Sequence, residues 1–237
     1  MSRRAVILAG GRGTRLKPYT IVLPKPLMPI GEYPILEVVV RQLSRAGFTR
    51  ITMAVNHQAE LIKAFFGDGS KWGVAIDYSL EDKALGTMAP LKLIDDLPED
   101  FLVMNGDILT DLDFADFHDE HVFKKRLFTI SAHLRTQTIE YGVLESDSDD
   151  YLIEFREKPK ISAKVAMGIY MVNSRALSVV PNSIPFGFDN LMLEFLSLKE
   201  KVFVRQFDGY WLDIGRPDDY SQAIDEFEKN RQKFLEE

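Results

Sequence analysis

The feature that most constrains this chain is a short apolar run near its N-terminus that ends in two glycines. The run Ala5–Ala9 contains only apolar residues, and Gly10 and Gly11 follow it directly. A strand that is apolar on both faces is typical of a parallel sheet covered on both sides. The sequence therefore predicts a buried parallel strand that opens at its carboxyl end into a glycine loop.

Strand and helix patterns alternate along the first half of the chain, after a loop rich in glycine and proline over residues 10–34. Helices are predicted at Ile35–Ala46, Leu61–Phe66 and Ala89–Leu97, and further strands at Ile51–Val55, Val74–Leu80 and Phe101–Met104. Such β-α-β alternation predicts a parallel sheet wrapped by helices.

The second half is richer in strands. Strands are predicted at Leu127–Leu134, Tyr141–Glu145, Leu152–Arg156 and Val165–Val172, with a hairpin turn at Asp147–Asp150, and helices at Phe188–Leu198 and Pro217–Phe234. We expect one domain over residues 1–237, with a nucleotide-binding half over about 1–110 and a more antiparallel half over about 111–237. The last helix, with Phe227 and Phe234, docks on its own domain or on a second subunit of a homo-oligomer.

Composition excludes several classes of protein. The 237 residues carry a formal net charge of −7, which disfavours general binding to nucleic acid or to an anionic membrane. The absence of cysteine excludes disulfides, thiolate metal sites and cysteine catalysis. The N-terminal apolar run is too short for a signal peptide, and no stretch approaches the roughly 18 apolar residues of a membrane span. We expect a soluble, cytoplasmic protein.

Cations follow the glycine loop. Glycines admit positive φ and close approach of a ligand, and their N–H groups form an anion-binding concavity. A dinucleotide-binding loop requires glycine where Leu16 stands, and the P-loop sequence is absent, while a plain tight turn stays open. Arg15 lies just beyond the loop, and prolines on both sides of Lys25 fix its backbone. This arrangement favours two cations held at a triphosphate.

Two aspartates are candidate metal ligands. Asp107 follows the strand that ends at Asn105, and ligands of open α/β sheets bind outside the carboxyl ends of strands. Asp213 lies between the apolar residues Leu212 and Ile214, an unusual place for a solvated charge. Mg²⁺ typically binds one or two carboxylates together with phosphate oxygens.

A second metal site is conceivable at Asp116, His118 and His121, whose side chains are potential zinc ligands. No fourth ligand is evident in the sequence, so a polar helix face is the favoured interpretation.

Taken together, these segments resemble the sugar-1-phosphate nucleotidyltransferase family, and they run in the family's order. They are Leu8–Leu16, Pro24–Pro26, Leu85–Thr87, Asn105–Asp107, Tyr141–Val143, Glu157–Pro159, Gly168–Tyr170 and Gly209–Gly215. The resemblance implies a Rossmann-like three-layer α/β/α fold with a mainly parallel central sheet and a smaller antiparallel sugar-binding part. We expect no C-terminal β-helix of the kind that larger relatives append, because the chain has no room for one.

The resemblance also implies roles for individual residues. Arg15, Lys25 and Asp107 are the catalytic candidates, and Asp107 with Asp213 holds Mg²⁺. The implied nucleotide-binding residues are Leu8, Ala9, Gly10, Gly11, Gly13, Thr14, Arg15, Lys25, Gly86 and Thr87. The implied sugar-phosphate-binding residues are Gly142, Glu157, Lys158 and Gly168.

The Pro-Lys-Pro form of the loop resembles the mannose-1-phosphate and heptose-1-phosphate guanylyltransferases, which makes GTP the expected nucleotide. A relative that uses UTP, dTTP or CTP remains an alternative, including a cytidylyltransferase for a non-sugar phosphate. Another alternative is a regulatory protein that binds nucleoside diphosphate sugars without turnover, although such a protein is expected to have lost Arg15, Lys25 or a metal aspartate, and all are present.

Overall fold

A computed structural model describes residues 3–11, 13–56, 58–81, 83–182 and 184–235. The strands are β1 (Arg3–Leu8), β2 (Pro29–Ile30), β3 (Tyr33–Pro34), β4 (Phe48–Val55), β5 (Ala75–Leu80), β6 (Asp100–Asn105), β7 (Ile108–Thr110), β8 (Phe128–Thr138), β9 (Val143–Ser146), β10 (Leu152–Arg156), β11 (Lys160–Asn173), β12 (Val202–Gln206) and β13 (Trp211–Asp213). The α-helices are α1 (Ile35–Arg45), α2 (Ala59–Phe66), α3 (Phe114–Phe123), α4 (Phe188–Ser197), α5 (Pro217–Lys229) and α6 (Arg231–Leu235).

A seven-stranded sheet runs through the molecule in the order β12-β8-β11-β6-β1-β4-β5. Strands β4 and β6 flank β1 in parallel, β5 continues in parallel beyond β4, and β12 lies parallel to β8. Only β11 is antiparallel to its two neighbours, β6 and β8. The prediction of a mainly parallel α/β sheet is therefore confirmed, and so are the small antiparallel pairs, among them the hairpin β9–β10.

Both faces of the sheet are buried, because successive side chains of β1 alternate between two apolar clusters. Ala5 and Ile7 pack into one cluster with side chains of α1, α2 and α3. Val6 packs into the other with Phe195 of α4 and Leu91 of a 3₁₀ segment. Helices on the two faces give the three layers that the resemblance implies.

The C-terminal helices close the layer that contains α1. Phe227 of α5 and Phe234 of α6 stack with ring centroids 6.0 Å apart and are almost fully buried in a third apolar cluster. The same cluster contains Leu16 of the glycine-loop segment and Ile214, which follows β13. These helices therefore pack on their own chain, in the same apolar cluster as the glycine-loop segment.

Two helix predictions are wrong in detail, and one strand was not predicted. The helix expected over Ala89–Leu97 is a 3₁₀ segment of Ala89–Leu93, because the backbone becomes extended at Ile94, and Arg4 then binds the carbonyl oxygen of Asp96 at 2.8 Å. The helix expected over Pro217–Phe234 is interrupted at Asn230, whose backbone leaves the helical region. Strand β12 was not expected, because its five residues border the sheet and do not form a long apolar run.

Within the described ranges, every helix falls short of the length and hydropathy that crossing a bilayer requires.

Candidate active site

A cavity of about 410 Å³ opens at the carboxyl ends of β1, β4, β5 and β6. Seven of its lining residues were expected to bind the nucleotide, namely Leu8, Ala9, Gly10, Gly11, Lys25, Gly86 and Thr87, and an eighth, Asp107, was expected as a metal ligand and catalytic residue. The other lining residues are Pro26, Asn56, Glu81, Ala84, Asn105 and Gly106. Parallel strands gather their carboxyl ends at one edge, which is why residues distant in sequence meet there.

The glycines of the loop have different structural roles. A β-carbon on Gly11 would meet no atom within 4 Å, so the fold itself leaves space beside this residue. Gly13 has a φ of 59°, and a β-carbon there would lie 2.8 Å from Thr20 Cγ2. Thr20 donates a hydrogen bond to the Gly13 carbonyl oxygen at 2.7 Å. Gly13 thus shapes the loop, whereas Gly11 is exposed toward the cavity. Arg12 lies outside the described residues.

Lys25 reaches the cavity from a short 3₁₀ turn, Lys25–Leu27, that begins after Pro24. The amide N–H of Leu27 donates to the Pro24 carbonyl oxygen at 2.8 Å, which closes the turn. The buried ammonium of Lys25 contacts Oδ2 of Asp107. The other oxygen of that carboxylate, Oδ1, is buried without a hydrogen-bond partner in the described part of the chain. Oδ1 of Asp107 is therefore available to bind a ligand.

Asp213 joins this group through strand pairing. Strand β13 pairs antiparallel with β7, Asp213 lies opposite Ile108, and Ile214 N donates to the Asp107 carbonyl oxygen at 3.1 Å. Burial raises the pKa of the Asp213 carboxyl above its ordinary value, and the negative charge of Asp107 raises it further. The positive charges of Lys25 and Arg15 act in the opposite direction.

Arg15 lies on the solvent side of the same group. Both terminal nitrogens of its guanidinium are 3.6 Å from the position that a β-carbon on Gly215 would occupy, and Asp213 Oδ2 is 3.5 Å from the same position. A β-carbon at residue 215 would thus be in van der Waals contact with both groups. The structure brings the four charged candidates together: Lys25 and Asp107 line the cavity, and Arg15 and Asp213 lie beside them, outside the lining. Thr14 is exposed in the 3₁₀ turn Thr14–Leu16, outside the lining.

The segment that carries Gly86 and Thr87 is held against the start of α4. Gly86 has a φ of 84°, and a β-carbon there would lie 2.9 Å from the Phe186 carbonyl oxygen. Thr87 Oγ1 accepts a hydrogen bond from Phe188 N at 2.8 Å. These contacts fix the wall of the cavity that faces the glycine loop.

The four sugar-phosphate candidates are divided between two places. A β-carbon on Gly168 would lie 2.6 Å from Asn105 Nδ2, so Gly168 lies directly behind the cavity lining. Gly142, Glu157 and Lys158 lie at the base of the exposed hairpin β9–β10, outside the lining. A β-carbon on Gly142 would lie 3.3 Å from Glu157 Oε2, which places these two residues side by side.

A family profile described as Nucleotidyl transferase matches residues 4–230, nearly the whole chain. This chain belongs to the nucleotidyl transferase family.

Curated relatives in the family are named for different nucleotides. A UTP–glucose-1-phosphate uridylyltransferase of Synechocystis is 33% identical over 93% of this chain and 62% of its own length. A mannose-1-phosphate guanyltransferase of Yarrowia lipolytica is 34% identical over 92% of this chain and 62% of its own length. The chain thus spans about three-fifths of the length of these relatives.

Solved structures share the fold over nearly the whole chain. HddC from Yersinia pseudotuberculosis has a TM-score of 0.73 at 28% identity, and it covers 95% of this chain and 99% of its own. A putative glucose-1-phosphate thymidylyltransferase from Bacillus anthracis has a TM-score of 0.74 at 24% identity, with 94% of each chain covered.

The expectation of a polar helix face at Asp116, His118 and His121 is wrong for His121. Its side chain is fully buried, and Nδ1 lies 2.8 Å from Thr129 Oγ1. Burial lowers the pKa of His121 below its ordinary value. Within the ranges that the structure describes, no three His, Asp or Glu side chains form a cluster suited to a metal ion.

Sequence reasoning missed three residues that line the cavity: Asn56, Glu81 and Ala84. Asn56 follows β4 and Glu81 follows β5, at the same edge as Asp107. Asn56 and Glu81 could have been found by the rule that ligands bind just beyond the carboxyl ends of parallel strands, but that rule was applied only to Asp107.

Proposed function

We propose that this nucleotidyl transferase family member is a sugar-1-phosphate nucleotidyltransferase that uses GTP and a mannose- or heptose-type sugar 1-phosphate. The observation that carries the proposal is the meeting of Arg15, Lys25, Asp107 and Asp213 beside a glycine loop at one edge of the sheet. In a chain of net charge −7, an ammonium in the cavity lining with a guanidinium beside it is suited to an anionic substrate.

The residues present fit a divalent cation. Two carboxylates lie close enough for the charge of Asp107 to raise the pKa of Asp213, and Asp107 Oδ1 is buried without a hydrogen-bond partner among the residues that the structure describes. A cation between them removes both costs, since unpaired buried acceptors and adjacent like charges are unfavourable. Asp107 and Asp213 would hold Mg²⁺, which supplies charge neutralisation at the phosphate oxygens.

The proposed reaction is an in-line displacement at the α-phosphorus of the nucleoside triphosphate. An oxygen of the sugar phosphate forms the new P–O bond, the bond from the α-phosphorus to the bridging oxygen breaks, and pyrophosphate leaves with that oxygen. The attacking phosphate is already ionised at neutral pH, so no general base and no covalent intermediate are required. Arg15 and Lys25 neutralise charge that develops on the triphosphate, and the glycine loop positions it.

The sugar phosphate is assigned to Gly142, Glu157, Lys158 and Gly168. Lys158 offers an ammonium to the phosphate, and Glu157 offers a carboxylate to sugar hydroxyls. The hairpin is exposed and lies outside the cavity lining, so we propose that it moves toward the cavity when both substrates bind. The guanylyl relatives and the Pro-Lys-Pro loop support GTP, and we propose a cytoplasmic enzyme that acts as a homo-oligomer.

The test is a pyrophosphate-release screen with GTP, UTP, dTTP, CTP and ATP against hexose and heptose 1-phosphates in the presence of Mg²⁺. We expect turnover with GTP and a mannose- or heptose-type phosphate. Pyrophosphate release with another pair would change the proposed substrates but support the proposed reaction. Binding of nucleoside diphosphate sugars without turnover of any pair would instead identify a regulatory protein.

A further inference from the structure

The carboxylate of Asp213 reaches its place only if β13 pairs with β7 in one register. Asp213 lies opposite Ile108 in that pairing. A slip of one residue would turn its side chain to the opposite face of the two strands, and a slip of two would move it about 7 Å along them. The position of this proposed metal ligand therefore depends on strand register.

Strands as short as β7 and β13 do not fix their own register. Each has three residues, and a two-stranded pair is only marginally stable in water without further support. Backbone hydrogen bonds repeat along a pair of strands, so a slip of two residues satisfies them equally well. The native register must therefore be distinguished by apolar packing or by a side-chain contact that no other register permits.

Asp111, the residue that follows β7, makes such a contact. Its Oδ1 accepts a hydrogen bond from Tyr210 N at 2.6 Å, and its own N–H donates to the Tyr210 carbonyl oxygen at 3.3 Å. Thr110 Oγ1 donates to the same carbonyl oxygen at 2.8 Å. Three hydrogen bonds thus tie the residue that precedes β13 to the end of β7.

The surroundings of the Asp111 carboxylate favour this contact. A β-carbon on Gly209 would lie 2.6 Å from Asp111 Oδ1, so the carboxylate occupies the space that a side chain at residue 209 would need. Lys233 of α6 pairs with the other carboxylate oxygen, Oδ2, at 2.9 Å. The carboxylate is therefore held by the C-terminal helix through one oxygen and binds the backbone before β13 through the other.

We propose that Asp111 is a positioning residue that fixes the register of β13 and so holds Asp213 beside Asp107, an inference that rests on the proposed metal site. The competing interpretation is that apolar packing alone sets the register, because Trp211 and Ile214 pack into two different apolar clusters. In that case Asp111 contributes only an ion pair with α6.

Three substitutions separate these interpretations. Asp111→Ala removes both the acceptor for Tyr210 N and the ion pair. Asp111→Asn loses the charge but keeps an amide oxygen that accepts from Tyr210 N. Lys233→Met removes the ion pair and keeps the whole carboxylate. A register contact predicts damage from Asp111→Ala alone, whereas an ion pair predicts equal effects of all three substitutions.

The first measurement is hydrogen exchange of the Ile214 amide, which donates to the Asp107 carbonyl oxygen at 3.1 Å in the native register. We expect this exchange to be about tenfold faster in Asp111→Ala than in the unmodified protein, with unchanged exchange in β6. Asp111→Asn and Lys233→Met should exchange at the unmodified rate. The measurement requires neither metal nor substrate.

The second measurement is the Kd of Mn²⁺ alone, followed by electron paramagnetic resonance, with Asp213→Asn as the reference for a lost ligand. We expect Asp111→Ala to weaken Mn²⁺ binding about tenfold, and Asp111→Asn to retain the unmodified affinity. A loss of stability alone would lower the urea midpoint of Asp111→Ala and leave the Kd of Mn²⁺ unchanged.

A matched control is Asp68→Ala, because Asp68 is an exposed acid whose Oδ1 also accepts a backbone hydrogen bond, from Ser70 N at 3.0 Å. It should leave both readouts unchanged. The inference is overturned if either readout is unchanged in Asp111→Ala, or if Lys233→Met alters both as much. If instead the proposed metal site is wrong, Asp213→Asn will bind Mn²⁺ as the unmodified protein does, which separates that failure from failure of the register contact.

Discussion

Lys25 and Asp107 are paired with each other, although one is proposed to bind phosphate and the other a metal ion. The pair offsets the cost of burying the ammonium, and it leaves Asp107 Oδ1 without a hydrogen-bond partner in the part of the chain that the structure describes. Binding of a metal–triphosphate complex would give each residue a partner of opposite charge. The site is thus charge-balanced before and after its substrate enters.

Replacing Lys25 tests this balance. Lys25→Met keeps the apolar stem and removes the charge, so both the triphosphate and Asp107 lose a counter-ion. We expect kcat/KM to fall on the order of 10²-fold or more. Steady-state kinetics with Mg²⁺ provide the measurement. Lys17→Met, an exposed lysine in the same loop, is the control and should retain near-normal turnover.

Replacing Arg15 tests the second cation. Arg15→Lys keeps the charge but loses the planar fork that binds two phosphate oxygens. We expect turnover to fall by about tenfold for Arg15→Lys and on the order of 10²-fold for Arg15→Met. Because Arg15 is exposed, the urea midpoint of both variants should stay unchanged. Equal activity of the two variants would argue against a role for the cation.

The aspartates are tested by metal dependence. We expect Asp107→Ala and Asp213→Asn to lose nearly all turnover at millimolar Mg²⁺, because each removes one of two proposed ligands. Mg²⁺ with nucleotide should raise the Tm of the unmodified protein and fail to raise that of the variants. Near-normal activity of Asp107→Ala with Mg²⁺ would contradict the metal assignment.

Two glycines of the cavity should respond oppositely to alanine. Gly86→Ala places a β-carbon 2.9 Å from the Phe186 carbonyl oxygen at a φ of 84°, and we expect it to lower the free energy of unfolding by about 1–3 kcal/mol. Gly11→Ala meets no atom within 4 Å and should unfold normally, yet bind GDP about tenfold more weakly by filling ligand space. Urea titration and calorimetry measure the two effects.

Unchanged GDP binding by Gly11→Ala would show that the ligand does not approach this residue.

The stability of the fold should depend on pH through His121. Burial lowers the pKa of His121 in the folded state, so below the ordinary value near 6.5 the unfolded chain takes up a proton that the folded chain does not. The contribution of His121 to the free energy of unfolding is therefore fully present above about pH 6.5 and is lost as the pH falls below that value. His121→Gln should show a smaller loss in the free energy of unfolding between pH 7.5 and 5.5, measured by urea titration. An identical loss in both proteins would contradict this assignment.

Local patterns predicted the central sheet because each of its inner strands is an apolar run closed by glycine or polar residues. The rule that ligands bind beyond the carboxyl ends of parallel strands also located Asp107. Asp213 was a candidate on its apolar neighbours alone, and its closeness to Asp107 depends on pairing between two three-residue strands, which are too short to carry a pattern.

Other features could not be predicted because their partners lie elsewhere in the chain. His121 is buried by contacts with Thr129 and Asp100, on two different strands, so α3 alone appeared to present a polar face. Glu81 ends a strand like many other acids, and its orientation depends on Leu85 N and on Gly10.

The pairing of β13 with β7 has a consequence for biosynthesis. A nascent chain that has left the ribosome only as far as β7 already contains the glycine loop, Lys25 and Asp107, but it lacks the carboxylate that β13 adds more than a hundred residues later. The proposed metal site is therefore completed only after β13 has been synthesised. On the proposed function, chains that stop before β13 should not turn over nucleoside triphosphate, so turnover itself would report that β13 has paired with β7.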